Sequence, residues 1–168
     1  MNQISNIPTS AIINIHRFAG PKVLYLGKSY FDGKRSEGYG GYYYDSKFFK
    51  GVARDIIKHY KITKNSKILE IGCAKGFLLY ELKKLVPGVT LSGIDISKYA
   101  VKNAHPKVKR FIRTGSVDQL PYEDRNFDLV ICNHVLEHIE SDMVAIKNIY
   151  SILKPNGLAI LQVPLSTL

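Results

Sequence analysis

The spacing of apolar positions changes several times along this chain, and each change marks an element. Lys67-Ile68-Leu69-Glu70-Ile71 is largely apolar and stops at Gly72. The chain then turns through Cys73, Ala74 and Lys75 and restarts as Gly76-Phe77-Leu78-Leu79-Tyr80-Glu81-Leu82. A short continuous run, small turn residues, then helical spacing predict a buried strand, a tight turn and a helix. Upstream, Phe48, Phe49, Val52, Ala53, Ile56, Ile57 and Tyr60 recur at helical spacing, and Asp45 or Ser46 can cap that helix. Lys47, Lys50, Arg54, Lys58 and Lys61 form its opposite, basic stripe. Downstream the pattern predicts strands at 89–95, 108–112, 127–132 and 158–163. It places helices at 98–103 and 141–153, with a turn at Pro155-Asn156-Gly157. Strands alternate with helices, and several strands are apolar on both faces. That arrangement predicts an α/β fold in which helices cover both sides of a mostly parallel sheet.

The first 44 residues follow another pattern. Ala11 to Ile15 is apolar but short enough for strand or helix. From Pro21 to Tyr44 the chain reads as a loop rich in glycine and tyrosine, ending in Gly38-Tyr39-Gly40-Gly41-Tyr42-Tyr43-Tyr44. Glycines supply mobility and tyrosines supply large flat surfaces with a polar tip, so this stretch is either a lid over a ligand or a flap packed on the core. The expected division is therefore an N-terminal segment with its lid, residues 1–44, and a ligand-binding domain, residues 45–168.

Composition narrows the class. The chain has 168 residues, 45% of them hydrophobic, which suits one domain with its own core. No apolar run reaches the length of a membrane span, and the first twenty residues lack a signal-peptide core, so a cytoplasmic location is expected. The two cysteines, Cys73 and Cys132, each close a predicted strand without metal-type spacing, which predicts small, buried, reduced residues. The net charge of +10 is uneven: residues 1–113 hold 21 Lys and Arg against 7 Asp and Glu, and the remainder holds 3 against 7. The excess either solvates one face or attracts an anionic substrate or nucleic acid.

Chemistry is expected beyond the carboxyl ends of the strands, where parallel sheets bind ligands. Gly72, Asp95, Ser116-Val117 and Cys132-Asn133-His134 all fall there. Asp95 follows Gly72 by 23 residues, and a carboxylate at that place accepts hydrogen bonds from both hydroxyls of a ribose, where an isolated one would merely cap the strand.

Five motifs in order carry a resemblance: Glu70-x-Gly72-x-x-x-Gly76, Gly93-Ile94-Asp95-Ile96-Ser97, Leu120-Pro121-Tyr122 with Phe127-Asp128, Leu136-Glu137-His138-Ile139, and Leu153-Lys154-Pro155-Asn156-Gly157. Over about residues 45–163 the chain resembles the class I S-adenosylmethionine-dependent methyltransferases. The dinucleotide fingerprint fits less well, because Ala74 stands where its second glycine belongs. The resemblance implies a Rossmann-like, doubly wound sheet in the order 3-2-1-4-5 and S-adenosylmethionine as cofactor. It implies that Gly72, Cys73, Ala74 and Gly76, with Glu70 and Asn133 beside them, hold the methionine part. Asp95 would bind the ribose and Ile96 pack on the adenine. Ser116 and the Val117 N–H would meet the adenine edge, with Asp118 standing in for the acidic residue that relatives often carry at the position of Ser116.

His134-x-x-Glu137-His138 also matches a zinc-peptidase pattern, but no third ligand is evident and no metal is expected. His134 is a candidate acid or base near the sulfonium, or else a packing histidine. The resulting expectation is methyl transfer to a small acceptor such as a sugar or an anionic metabolite. An RNA methyltransferase, favoured by the basic stripe, and a non-catalytic cofactor-binding module are the alternatives. The family usually adds two more strands after the fifth. Their absence here predicts either a piece of a longer protein or an apolar edge at strand five, covered by a second copy as a homodimer or by residues 1–20.

Overall fold

The computed structural model describes residues 26–163. The expectations for residues 1–20 lie outside them. Strand β1 (Lys67–Ile71) is central, flanked by β2 (Thr90–Asp95) and β4 (Phe127–Asn133), with β3 (Ile112–Thr114) and β5 (Leu153–Gln162) outermost. The order is β3-β2-β1-β4-β5 and every pair is parallel, as the alternation of apolar strands and helices predicts.

Side-chain alternation along the two central strands builds two cores. Ile68 of β1 and Leu129 and Ile131 of β4 point to one face. There they meet α2 (Ser46–His59) through Ala53 and Ile56, and α3 (Phe77–Leu85) through Leu78, Leu79 and Leu82. Leu69 and Ile71 with Val130 and Cys132 point to the other, where α5 (Asp142–Ile152) supplies Ala145, Ile149 and Ile152. Helix α2 starts as its sequence suggests, with the Asp45 carboxylate accepting from the N–H groups of Lys47 and Phe48.

Three elements differ from the sequence reading. Strand β3 starts at Ile112, because Lys109–Phe111 form a 3-10 turn that leaves the Arg110 guanidinium over the Phe111 ring at 4.7 Å. Strand β5 begins before the expected turn. Phe127 pairs with Leu153 and Leu129 with Leu158, so Lys154 to Gly157 bulge out of a continuing ladder, with Asn156 in the left-handed region at φ 65°. The tyrosine-rich stretch is not all loop: Lys28–Asp32 form a short helix, α1, whose Phe31 is buried against Ala74 and against Ala100 of α4 (Lys98–Lys102).

Candidate functional site

A cavity of about 150 Å³ opens at the carboxyl ends of the strands. Ile71, Gly72 and Ala74 come to it from the end of β1, and Asp95 and Ile96 from β2. Gly115, Ser116 and Val117 come from β3, and Asn133, His134, Val135, His138 and Ile139 from β4. Leu26, Tyr30, Phe31 and Tyr39 close it from above. Eight of the positions singled out in the sequence therefore share one cavity: Gly72, Ala74, Asp95, Ile96, Ser116, Val117, Asn133 and His134. Glu70, Cys73, Gly76 and Asp118 do not reach its wall.

The turn after β1 explains that division. Gly72 and Gly76 both sit at φ 72°, a conformation that costs an L side chain energy. A Cβ on Gly72 would come within 2.3 Å of Val135 Cγ2, and one on Gly76 within 2.3 Å of Ile112 Cδ1. Both glycines thus serve close packing of protein on protein, and Gly76 with the start of α3 lies away from the cavity. The turn is held from below: the N–H groups of Gly72 and Cys73 donate to the Ile94 carbonyl at 2.8 and 3.1 Å.

Asp95 is 6% exposed. Its Oδ2 accepts the Ala74 N–H at 2.7 Å and its Oδ1 the Ser97 N–H at 2.8 Å. Burial raises its pKa, and those two bonds oppose the rise. Each oxygen keeps a lone pair for a further donor. Ile96, beside it, is 63% exposed, an apolar surface at the cavity rim. Glu70 is fully enclosed one layer down, and burial, then the nearby Asp95 charge, push its carboxyl up to about 8. That shift favours the protonated acid near neutral pH. Both thiols are inert by the same physics: burial pushes Cys73 up strongly and Cys132 to about 12.

On the β4 side, His134 occupies the left-handed region at φ 56° while its N–H donates to the Gln162 carbonyl of β5 at 2.8 Å. The following residues form a 3-10 turn, Leu136–His138, rather than the regular helix that would stack two histidines for a metal. His134 Nδ1 lies 3.4 Å and His138 Nε2 3.9 Å from the same oxygen of Glu137. Among the described residues no group of three or more His, Cys, Asp or Glu is placed to hold a metal ion. Asn133 Oδ1, Glu70 Oε2 and Glu137 Oε2 are buried acceptors without a hydrogen-bond partner among the described residues. Of these three residues only Asn133 lines the cavity, and its unpartnered acceptor beside the Asp95 carboxylate fits a ligand that brings hydroxyl and ammonium donors.

Two features escape sequence reasoning. Asn148 of α5 donates from Nδ2 to the carbonyls of Val117 and Asp118, both at 2.9 Å, and so holds the loop that lines the cavity. A polar residue in the middle of α5 was the only signal. Lys75, inside the turn, pairs with Asp32 of α1, and nothing in the sequence spacing connects them.

A family model for a methyltransferase domain matches residues 69–161, more than half of the chain. A malonyl-[acyl-carrier protein] O-methyltransferase of Halalkalibacterium halodurans is 34% identical over 100 residues, covering 54% of this chain and 36% of that protein. A ubiquinone biosynthesis O-methyltransferase of Rickettsia felis is 30% identical over 118 residues, covering 66% and 46%. The chain thus spans less than half the length of these curated relatives. Among solved structures, a Methanococcus maripaludis protein assigned to the S-adenosyl-L-methionine-dependent methyltransferases superposes with a TM-score of 0.62 at 25% identity, over 69% of this chain and 55% of that one. No helix among the described residues is long and apolar enough to cross a membrane.

Proposed function

The chain belongs to the methyltransferase-domain family, and from that premise we propose that its cavity binds S-adenosylmethionine and passes the methyl group to a small acceptor held under the lid. The observation that carries the reading is the Asp95 carboxylate. It is fixed by two backbone N–H groups at the end of β2, yet keeps acceptor capacity toward the cavity. Asp95 would take the ribose hydroxyls, and Ile96 and Val117 would present apolar surface to the adenine. Gly72, Ala74 and Asn133 would line the methionine end, with Glu70 beneath them. S-adenosylmethionine supplies a methyl group on a positively charged sulfur, so the protein's task is alignment and exclusion of water.

His134, in the cavity wall, would hold or take a proton from the acceptor. Its Nδ1 faces Glu137, which leaves Nε2 free to act on another group. An aromatic segment, Leu26, Tyr30, Phe31 and Tyr39, that closes over the cavity favours a small acceptor over a polymer. The relatives' names point to differing acceptors, so the choice rests on this cavity: the two histidines in its wall and the overall basic charge favour an anionic metabolite or a sugar. The test is S-adenosylhomocysteine formation with a panel of sugars and anionic metabolites, beside RNA. Turnover with a panel compound is expected. Turnover with RNA alone would select the nucleic-acid reading, and cofactor binding without any turnover would leave a binding module.

A further inference from the structure

Asp32, at the end of α1, does not line the cavity, yet three donors converge on its carboxylate. Lys75 Nζ lies 2.6 and 2.8 Å from its two oxygens. The Tyr99 hydroxyl donates to Oδ2 at 2.8 Å, and the Tyr42 N–H reaches Oδ1 at 3.4 Å. These donors come from three places: the glycine turn, helix α4 behind Asp95, and the far end of the lid. The Lys75 side chain is only 9% exposed, and besides Asp32 it donates to the Tyr42 carbonyl at 3.0 Å, another lid atom. The Ser97 hydroxyl donates to the Leu26 carbonyl, which ties down the near end of the lid. Between these ties Phe31 stacks with Tyr39 and Tyr99 at 5.8 and 6.3 Å, and Tyr42 stacks on Phe77 of α3 at 5.3 Å.

Two consequences follow from the chemistry. In this position the lid leaves about 150 Å³, below the roughly 300–1,000 Å³ of pockets that enclose small-molecule ligands, so a nucleoside-bearing ligand enters only if the lid moves. Moving the lid strips a nearly buried ammonium of its counter-charge and of its carbonyl partner together, a costly state. Lys75 adjoins Ala74, whose N–H is held by Asp95, so the disturbance reaches the cavity wall directly.

We propose that Asp32 is a positioning residue: paired with Lys75 it latches the aromatic lid to the glycine turn, so that lid and cofactor wall loosen together and the latch sets the rate at which cofactor is exchanged. This rests on reading the cavity as the S-adenosylmethionine site, and the test separates the two claims. The first arm is hydrogen exchange on the ligand-free protein. In Asp32→Asn the lid amides of Tyr39 and Gly41, now bonded to the carbonyls of Tyr30 and Phe31, and the turn amides of Ala74 and Gly76 should all exchange faster by about tenfold or more, while β4 amides at 129–131 hold their rates. Lys75→Arg, which keeps the ion pair, should stay near wild type. The second arm is stopped-flow exchange of S-adenosylhomocysteine. Association and dissociation should both quicken in Asp32→Asn, with the equilibrium constant moving less than either rate. Faster lid amides with unchanged turn amides, or rates equal to wild type in both arms, would overturn the latch. Failure of the wild-type protein to bind S-adenosylhomocysteine would instead overturn the reading of the site, and the exchange arm would still decide the latch.

Discussion

Glu70 lies buried near Asp95, which lines the cavity, and the protonation of both is a consequence of where the fold puts them. Glu70's carboxyl rises from 4.5 to about 8, by burial first and the Asp95 charge second. A raised folded value means that this residue's contribution to stability is complete below its ordinary range and is lost as pH climbs toward 8. Wild-type protein should therefore lose stability between about pH 5 and 8, and Glu70→Gln, which imitates the protonated acid, should lose much of that slope. Urea unfolding across that range measures it; an unchanged slope would mean that Glu70 titrates elsewhere. Glu70 stands out in the sequence through the motif Glu70-x-Gly72-x-x-x-Gly76 that carries the family resemblance. Its depth does not, since residue spacing does not say what covers a strand end.

At the scale of elements, periodicity located strands where both faces are apolar and failed where pairing, not pattern, decides. Ile112 begins β3 because it lies opposite Gly93, and the basic residues before it gain nothing from a ladder. Lys154 to Gly157 read as a turn and are one in shape, but β4 continues to pair on either side of them. Helix α1 was hidden in a stretch whose glycines and tyrosines suggest a loop; Phe31, buried at 3%, is what holds it. Helix α5 shows the reverse case, an element read correctly whose functional contact was not. Asn148→Ala removes both bonds to the loop Val117–Gln119 and should cost about 1–2 kcal/mol of stability. It should also weaken S-adenosylhomocysteine binding severalfold, because the loop wall is freed. Urea titration and calorimetry on the same variant check the two halves; a variant equal to wild type in both would show that the loop holds itself.

At the scale of the whole molecule, parallel pairing follows from the alternation of elements, and the order β3-β2-β1-β4-β5, which the family resemblance implies, gathers the ends of β1, β2, β3 and β4 around one cavity. Residues far apart in sequence meet there because parallel strands all point their carboxyl ends the same way. The aromatic segment before α2 is the part that strand logic does not foresee, since the Lys75–Asp32 ion pair and stacked rings hold it rather than any ladder. The proposed function stands on Asp95 as the anchor of a nucleoside ligand. Titration calorimetry of S-adenosylhomocysteine into wild type and Asp95→Ala tests it most directly. The account predicts one site per chain in wild type and binding weaker by about 1–3 kcal/mol in Asp95→Ala, the scale of hydrogen bonds to a charged partner. Equal affinity in the two proteins, or no binding by wild type, would contradict it.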